Sequence, residues 1–356
     1  MARPLVSVLI DTYNHEKFIE QAIRSVLEQD FPAVDREIIV VDDGSTDRTR
    51  GIVHKFEPQV RLIAKPNGGQ ASAFNAGIPE CRGEIVAFLD GDDWWERRKL
   101  ASVASAFAAN PSIGLVGHSI TEVLADGRHR SELVRESPRF RIDSVAGARI
   151  FRLRKSFLGT SRMALRSELL RRIGVVPEIL RIQADEYLFT MGAIFSEVLL
   201  LREPLTFYRL HEGNLFQVST GDRASLERKH EVLVNLAELL RRRFAQEEVG
   251  SDTTKAVIEA IEAEADVLGL ALHGGSRMKK FRVELRSYRI MHEKSSPLRR
   301  LLKFVSLLPV LILPQKQGNS YRRWLASSSM YRDFRRRFFP YTRPTHVDRT
   351  GDWSSQ

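Results

Sequence analysis

The sequence predicts an α/β fold, with a mostly parallel central sheet followed by an α-helical C-terminal region. Three observations predict it. Over residues 1–115 short apolar runs alternate with stretches of helical spacing. Two of the runs stop in acidic loops, Asp42-Asp43-Gly44-Ser45 and Asp90-Gly91-Asp92-Asp93, and a third stops at Asp11. Past residue 215, two long amphipathic stretches at 223–247 and 253–272 replace the alternation.

The elements follow in order. Residues 6–10 form an apolar run interrupted by Ser7 alone, the mark of a strand buried on both faces. Phe18, Ala22, Ile23, Val26 and Leu27 share one helical face. Residues 37–41 give a second buried strand. After it, Ser45 or Thr46 is placed to cap a helix, with Asp47 in its first turn. Residues 60–63 read as a third strand, 69–78 as a helix rich in small residues, and 84–89 as a fourth strand. Further strands are expected at 114–120 and 198–208, with a helix at 167–173. In such sheets ligands bind beyond the C-terminal strand ends, where the acidic loops lie.

Composition sets bounds. A length of 356 residues suits one large α/β domain plus an appendage, and 43% apolar residues is ordinary for a globular chain. The lone Cys81 allows no internal disulfide and fits a reducing, cytoplasmic setting. Residues 5–10 are too short for a signal-peptide core, so a strand is expected there. The net charge of +10 is concentrated: residues 277–349 hold 19 Lys and Arg against 4 Asp and Glu. The rest of the chain is mildly acidic. The apolar run 304–313, interrupted by Pro309, is too short to span a bilayer. With Arg299, Arg300, Lys303, Lys316, Arg322, Arg323 and Trp324 around it, it suits a helix lying on an anionic membrane surface. A helix docked on the body of the protein is the plainer alternative. No nucleic-acid-binding fold accompanies the basic stretch, and no nucleic acid is expected as a partner.

The acidic loops carry the chemistry. Two carboxylates one residue apart, Asp90 and Asp92, converge on a hard divalent cation such as Mg²⁺ or Mn²⁺, and Gly91 lets the backbone bend. Such an ion neutralises charge on a departing nucleoside diphosphate. Asp43 can accept a hydrogen bond from a base or ribose, and Tyr13 offers a ring for stacking. An Asp-x-Asp alone is more often a solvated turn. Its place after a strand, with Asp42-Asp43 after another, argues otherwise.

Three segments in this order, Val6-Ser7-Val8-Leu9-Ile10-Asp11-Thr12-Tyr13-Asn14, Ile39 to Asp47 and Phe88-Leu89-Asp90-Gly91-Asp92-Asp93, resemble the family 2 inverting glycosyltransferases of GT-A fold. The likeness runs over roughly residues 4–215. It implies a nucleotide pocket at Asp11, Tyr13 and Asp43, with Asp90 facing the ribose, and Asp92 holding the metal with Asp93 alongside. Asn67 to Gly77 is similar to the family's glycine-rich donor segment, which points to Gly69, Gln70 and Asn75; Phe74 stands where many members carry arginine, leaving Gln70 and Ser72 as donor contacts. The family's catalytic carboxylate falls on Asp185, with Glu186 as a rival. Phe207 to Asn214 resembles the Tyr-Arg-x-His-x-x-Asn stretch, so Arg209 faces phosphate and His211 completes the metal site or bonds the diphosphate. Thr160 and Ser161 fall where members shape the acceptor pocket.

The expected organisation is a catalytic domain over residues 1–215, a helical region over 216–296, a basic amphipathic segment over 297–343 and a flexible tail over 344–356. The expected activity is transfer of a sugar from a nucleotide-sugar donor to a glycan or lipid-linked acceptor. Its setting would be cytoplasmic, on the inner membrane face, in cell-surface polysaccharide or glycolipid synthesis. The alternatives are a catalytically inactive nucleotide-sugar-binding or scaffolding module, and nucleotidyl transfer. The retained acidic loops speak against the first, and the absence of a basic glycine-rich loop near residue 1 against the second.

Overall fold

The structure, a computed structural model, describes residues 4–211 and 223–291, with Pro297, Leu301, Phe304, Val305 and Leu308 beyond them. The remaining part of the basic segment and the 344–356 tail lie outside the described residues.

Strands β1 (Val6–Thr12), β2 (Arg36–Asp42), β3 (Arg61–Ala64) and β4 (Ile85–Asp90) are the four expected first, each within a residue or two of its sequence bounds. Between them run α1 (Ile19–Leu27), α2 (Thr49–Val53) and α3 (Gln70–Gly77). Then come β5 (Trp94–Trp95), α4 (Lys99–Ala109), β6 (Ile113–Val123), β7 (His129–Glu132), β8 (Arg139–Phe140), α5 (Val145–Arg154), β9 (Ala164–Arg166), α6 (Ser167–Ile173), α7 (Ala184–Phe195) and β10 (Glu197–Arg209).

The sheet runs β3-β2-β1-β4-β9-β6-β10-β5, with β7 on β6 and β8 on β10. The pairs among β1 to β4, and β6 with β10, are parallel. The three-residue β9 is inserted antiparallel between β4 and β6, which the sequence did not reveal because so short a run has no period to read. The sheet is therefore mixed. Its apolar runs reflect cover on both faces. Val8, Ile10, Val40 and Leu89 pack on one side with Ile19, Ile23 and Val26 of α1 and Val103 and Phe107 of α4. Leu9, Ile39 and Phe88 are equally buried, and Phe74 of α3 meets Phe88 edge-on at 5.2 Å between ring centres.

The helix after β2 is capped differently from expectation. Neither Ser45 nor Thr46 caps α2; the Asp47 carboxylate accepts from the Thr49 N–H at 2.9 Å. Ser45 Oγ instead accepts from the Asn14 N–H at 2.9 Å, which fastens this loop to the one after β1.

Helices α8 (Arg223–Gln246) and α9 (Ser251–His273) match the two amphipathic stretches, and a third helix, α10 (Arg277–Met291), follows them. Among the described residues the chain divides into two compact units. One takes in 4–211 with 239–256, the other 223–238 with 257–291. In the second, Leu233, Leu236, Ile258 and Ile261 are buried, and Arg286 bridges Glu262 and Asp266 at 2.9 and 2.8 Å. Phe304 lies against Phe281, so the one tail ring that is described packs within this unit. No helix among the described residues is long and apolar enough to cross a membrane.

Candidate active site

Parallel pairing sets Asp11 beside Asp90 and Thr12 beside Asp42 at the C-terminal edge of β1, β2 and β4. The chain leaves β1 for β2 on one side and returns on the other as β4, so the loops diverge here and open a cleft. Tyr13, just past β1, is 42% exposed.

The adjacent carboxylates after β2 have different tasks. Asp42 is fully buried, takes a two-nitrogen contact from Arg50 at 3.0 and 2.9 Å, and accepts from the Ser45 N–H. It braces the loop. Asp43 accepts from Lys65 Nζ at 2.6 Å and from the N–H groups of Gly68 and Gly69 at 3.0 and 2.7 Å. The carboxylate expected against a base or ribose thus also clamps the glycine segment.

That segment departs from expectation residue by residue. Gly69 precedes α3 with φ 87°, and a Cβ there would lie 2.6 Å from the backbone of Arg181. Close packing and a positive φ both require glycine there. Gln70 accepts from the Ala184 N–H at 2.9 Å and donates to Thr160 Oγ1 at 3.0 Å, so it links the start of α7 to the turn at 160. Asn75, expected to face the donor, uses both polar atoms on the backbone of Val176, at 2.8 and 2.9 Å. Asn75→Ala should therefore cost about 2 kcal/mol of unfolding free energy, because it strands a buried N–H and a C=O. It should leave nucleotide affinity within twofold; denaturant titration and nucleotide binding check the two halves.

The Asp-Gly-Asp-Asp loop separates its acids in the same way. Gly91 does not adopt a left-handed backbone; a Cβ there would lie 2.6 Å from Thr12 Oγ1 and 2.8 Å from His15 Nδ1. Asp90 accepts from Ser161 Oγ at 3.1 Å. Burial, and then the charges of Asp11 and Asp92, push its carboxyl well above the usual range. Asp11 is raised likewise, by burial and then Asp92, and its buried Oδ1 has no hydrogen-bond partner. Asp92 lies 3.0 Å from His211 Nε2 and 3.8 Å from His15 Nε2. Burial opposes its ionisation, yet these imidazoles hold it below the ordinary value. Asp93 is the most buried acid of this loop. It is 1% exposed, accepts from the Arg209 N–H at 2.9 Å, and is pushed up to about 8 by burial and then Asp92. One oxygen ties the loop to β10, while Oδ2 is buried without a hydrogen-bond partner among the described residues.

Arg209 donates to the Asp92 carbonyl at 2.9 Å and to Gln21, between the rings of Phe18 and Trp94. It too supports the loop. His211 packs on Phe18 at 4.7 Å.

Asp185 and Glu186 are resolved by their surroundings. Gln183, left-handed at φ 58°, starts α7, and Asp185 falls in the first turn. A non-glycine residue held there stores strain, a frequent mark of a functional site. Asp185 accepts from the N–H and Oγ1 of Thr160 at 3.1 and 3.3 Å. Burial and then the Glu186 charge raise its carboxyl, and it in turn raises Asp11 and Asp90. Glu186 turns away: it is buried and paired with Lys155. Its expected rivalry as a catalytic group is not supported by this placement.

A buried layer under Asp90 was missed by sequence reading. The Ser161 carbonyl accepts from Lys99 Nζ at 2.7 Å, Trp95 Nε1 at 3.0 Å and Thr206 Oγ1 at 2.6 Å. Lys99 also meets His118 Nε2 at 2.9 Å, and burial holds the pKa values of both bases well below normal. A lone lysine in an amphipathic pattern gives no sign of being fully buried. His118 makes the stability of the fold depend on pH. Its folded pKa lies below the unfolded one, so the unfolded chain binds more protons as pH falls below about 6.5. Stability is then lost toward acid by up to about 1.4 kcal/mol per pH unit. His118→Gln should flatten that slope between pH 6.5 and 5, as read by urea unfolding.

Fit to a divalent cation can be judged on donor chemistry. Among the described residues no three His, Cys, Asp or Glu side chains form a ready ligand set. Asp92 and His211 nevertheless converge, and the partnerless Asp11 oxygen and raised carboxyls mark a place short of positive charge. Oxygen and imidazole donors suit Mg²⁺ or Mn²⁺.

Known proteins agree with this arrangement. Residues 7–174 match the sequence profile of Glycosyl transferase family 2. An uncharacterised glycosyltransferase of Nostoc sp. is 33% identical over 216 residues, 59% of this chain and 66% of that protein. The chondroitin synthase of Pasteurella multocida is 35% identical over 127 residues, 35% of this chain and 13% of that protein. The chain thus spans less than two thirds of either relative. In fold it is similar to the mannosyltransferase of Pyrobaculum calidifontis solved with GDP-Man and Mn²⁺, at a TM-score of 0.53 and 22% identity over 92% of this chain and 84% of that one. With the strand-end acids, the mixed sheet and the profile match in agreement, residues 7–174 match glycosyl transferase family 2 and the sheet is of GT-A type.

Proposed function

We propose that this chain is an inverting glycosyltransferase. It moves a sugar from a nucleotide-sugar donor to an acceptor hydroxyl, in cell-surface polysaccharide or glycolipid synthesis. The observation that carries the reading is the Asp185 carboxylate, oriented by Thr160 beside the Asp11–Asp90 edge, while its neighbour Glu186 is taken up by Lys155. Asp185 removes the acceptor proton as the hydroxyl oxygen bonds to the anomeric carbon. The bond from that carbon to the diphosphate breaks on the opposite face, which inverts the configuration. The raised pKa suits a base, because a more basic carboxylate takes the proton more readily once ionised. Asp11, Asp43 and Tyr13 border the nucleotide, and Asp90 faces the ribose. Asp92 and His211 would hold Mg²⁺ or Mn²⁺, which supplies positive charge against the departing diphosphate.

The names of the chondroitin synthase relative and the GDP-Man complex support a nucleotide-sugar donor and a glycan acceptor. Residues 277–349, with 19 basic side chains, are read as a contact for an anionic membrane surface, which would place the enzyme peripherally on the inner face.

The test is thermal unfolding against a panel of nucleoside diphosphate sugars, with and without Mn²⁺. A donor present at 100 times its dissociation constant stabilises by about 2.7 kcal/mol. One member should raise the melting temperature, more so with metal. A chain that no nucleoside diphosphate protects is not this enzyme.

A further inference from the structure

One charged side chain at the cleft forms no ion pair among the described residues, although its charge is felt by buried Asp93. Arg162 is half-buried at the end of the short turn Thr160–Arg162. Its guanidinium stacks on the Tyr208 ring at 5.3 Å, and no carboxylate among the described residues lies within ion-pair distance of it. The other cations near the site are engaged: Lys65 on Asp43, Lys99 on Ser161 and His118, and Arg209 on Asp92 and Gln21. A guanidinium lying over a ring, its N–H edge in no ion pair among the described residues, is ready for a planar or tetrahedral anion.

The neighbouring glycine shows where such an anion would sit. Gly159 has φ −58° and ψ 164°, a backbone open to any residue. A Cβ there would meet first Asp185 Oδ2 at 3.6 Å, then Arg162 Cζ at 3.8 Å and Nε at 3.9 Å. All three distances are ordinary contact. The absent side chain therefore leaves a gap bounded by the carboxylate on one side and the guanidinium on the other. An acceptor whose hydroxyl faces Asp185 would bring its adjoining substituent to Arg162.

We infer that Arg162 is a specificity-determining residue on the acceptor side, selecting an acceptor with a phosphate or carboxylate next to its reactive hydroxyl. The inference rests on the glycosyltransferase reading, in which Asp185 marks the acceptor side. The same anion chemistry could come from the donor's diphosphate, and the arms of the test separate the two sources.

The experiment uses the full chain with and without saturating UDP and Mn²⁺. Titrations compare inorganic phosphate, methyl glucuronide and methyl glucoside, for the intact chain and for Arg162→Gln, Arg162→Lys and Gly159→Val. The intact chain should bind the acidic probes about tenfold or more over the neutral one with UDP in place, the ratio of one charge-assisted hydrogen bond. Arg162→Gln should bring that ratio near one and leave UDP affinity unchanged; Arg162→Lys should keep part of it. Gly159→Val should fill the gap and lose the preference with the cation still present, which keeps the test open if Arg162→Gln fails to fold. Equal binding of acidic and neutral probes by the intact chain overturns the inference. So does a fall in UDP affinity in Arg162→Gln with the acid preference retained, which would assign the guanidinium to the donor. Failure of the enzyme reading looks different: neither UDP nor GDP would protect the intact chain, whatever the probes do.

Discussion

Asp185→Asn should lower sugar transfer by roughly 10²- to 10⁴-fold, the range for a lost general base, while nucleotide affinity stays nearly constant. The substitution keeps size and the hydrogen bonds from Thr160, because an amide oxygen accepts where the carboxylate did. The capacity to take a proton is lost, together with the bond that Oδ1 accepts from the Glu186 N–H at 2.8 Å. The pH profile gives a second readout. Because burial raises the Asp185 carboxyl, the acid limb of the intact enzyme's rate should lie above an ordinary carboxylate's pKa and should vanish in the variant. Glu186→Gln should behave otherwise. It leaves the Lys155 ammonium facing a neutral amide, so it should lower stability with a smaller loss of rate. A Glu186→Gln rate deficit larger than that of Asp185→Asn would move the base to the other carboxylate.

Asp92→Asn is the second large effect. Asp92 is held ionised by His211 and His15, and it is the one acid of its loop pulled below the ordinary range rather than above it. An amide has the same shape but no charge to offer a cation. Removing one preorganised electrostatic element of this kind typically costs 10²–10³ in turnover. Transfer should fall by about that much, and the extra thermal protection that Mn²⁺ gives to nucleotide binding should disappear with the fold intact. Asp93→Asn is the control from the same loop. With its carboxylate turned to the Arg209 N–H, it should retain the Mn²⁺ effect. Metal-dependent protection that survives Asp92→Asn, or is lost only in Asp93→Asn, would place the ion on different residues.

The difference between these neighbours shows what could be read from the chain alone. Apolar runs of fixed length, closed by acidic loops, determined the four parallel strands and the edge on which the carboxylates gather. That is local information, because strand periodicity and burial on both faces are written in consecutive residues. The three ordered segments also carried the likeness to the family. Within each acidic pair, however, the sequence could not say which member faces the cleft. Asp42 and Asp43, Asp92 and Asp93, and Asp185 and Glu186 are each adjacent carboxylates whose partners come from distant positions: Lys65, Arg209 and Lys155. Asn75 gave no hint of Val176, 101 residues away, nor Lys99 of its burial against Ser161. Three-residue β9, which carries the turn at 160 to Asp90 and Asp185, has too few residues to show a period. The sequence by itself determined the strands, the edge and the kinds of chemistry available there. Only the tertiary structure decided which acid is buried and braced and which is left facing the cleft, because a carboxylate's role depends on the charge and water around it, and those are supplied by residues remote in the chain.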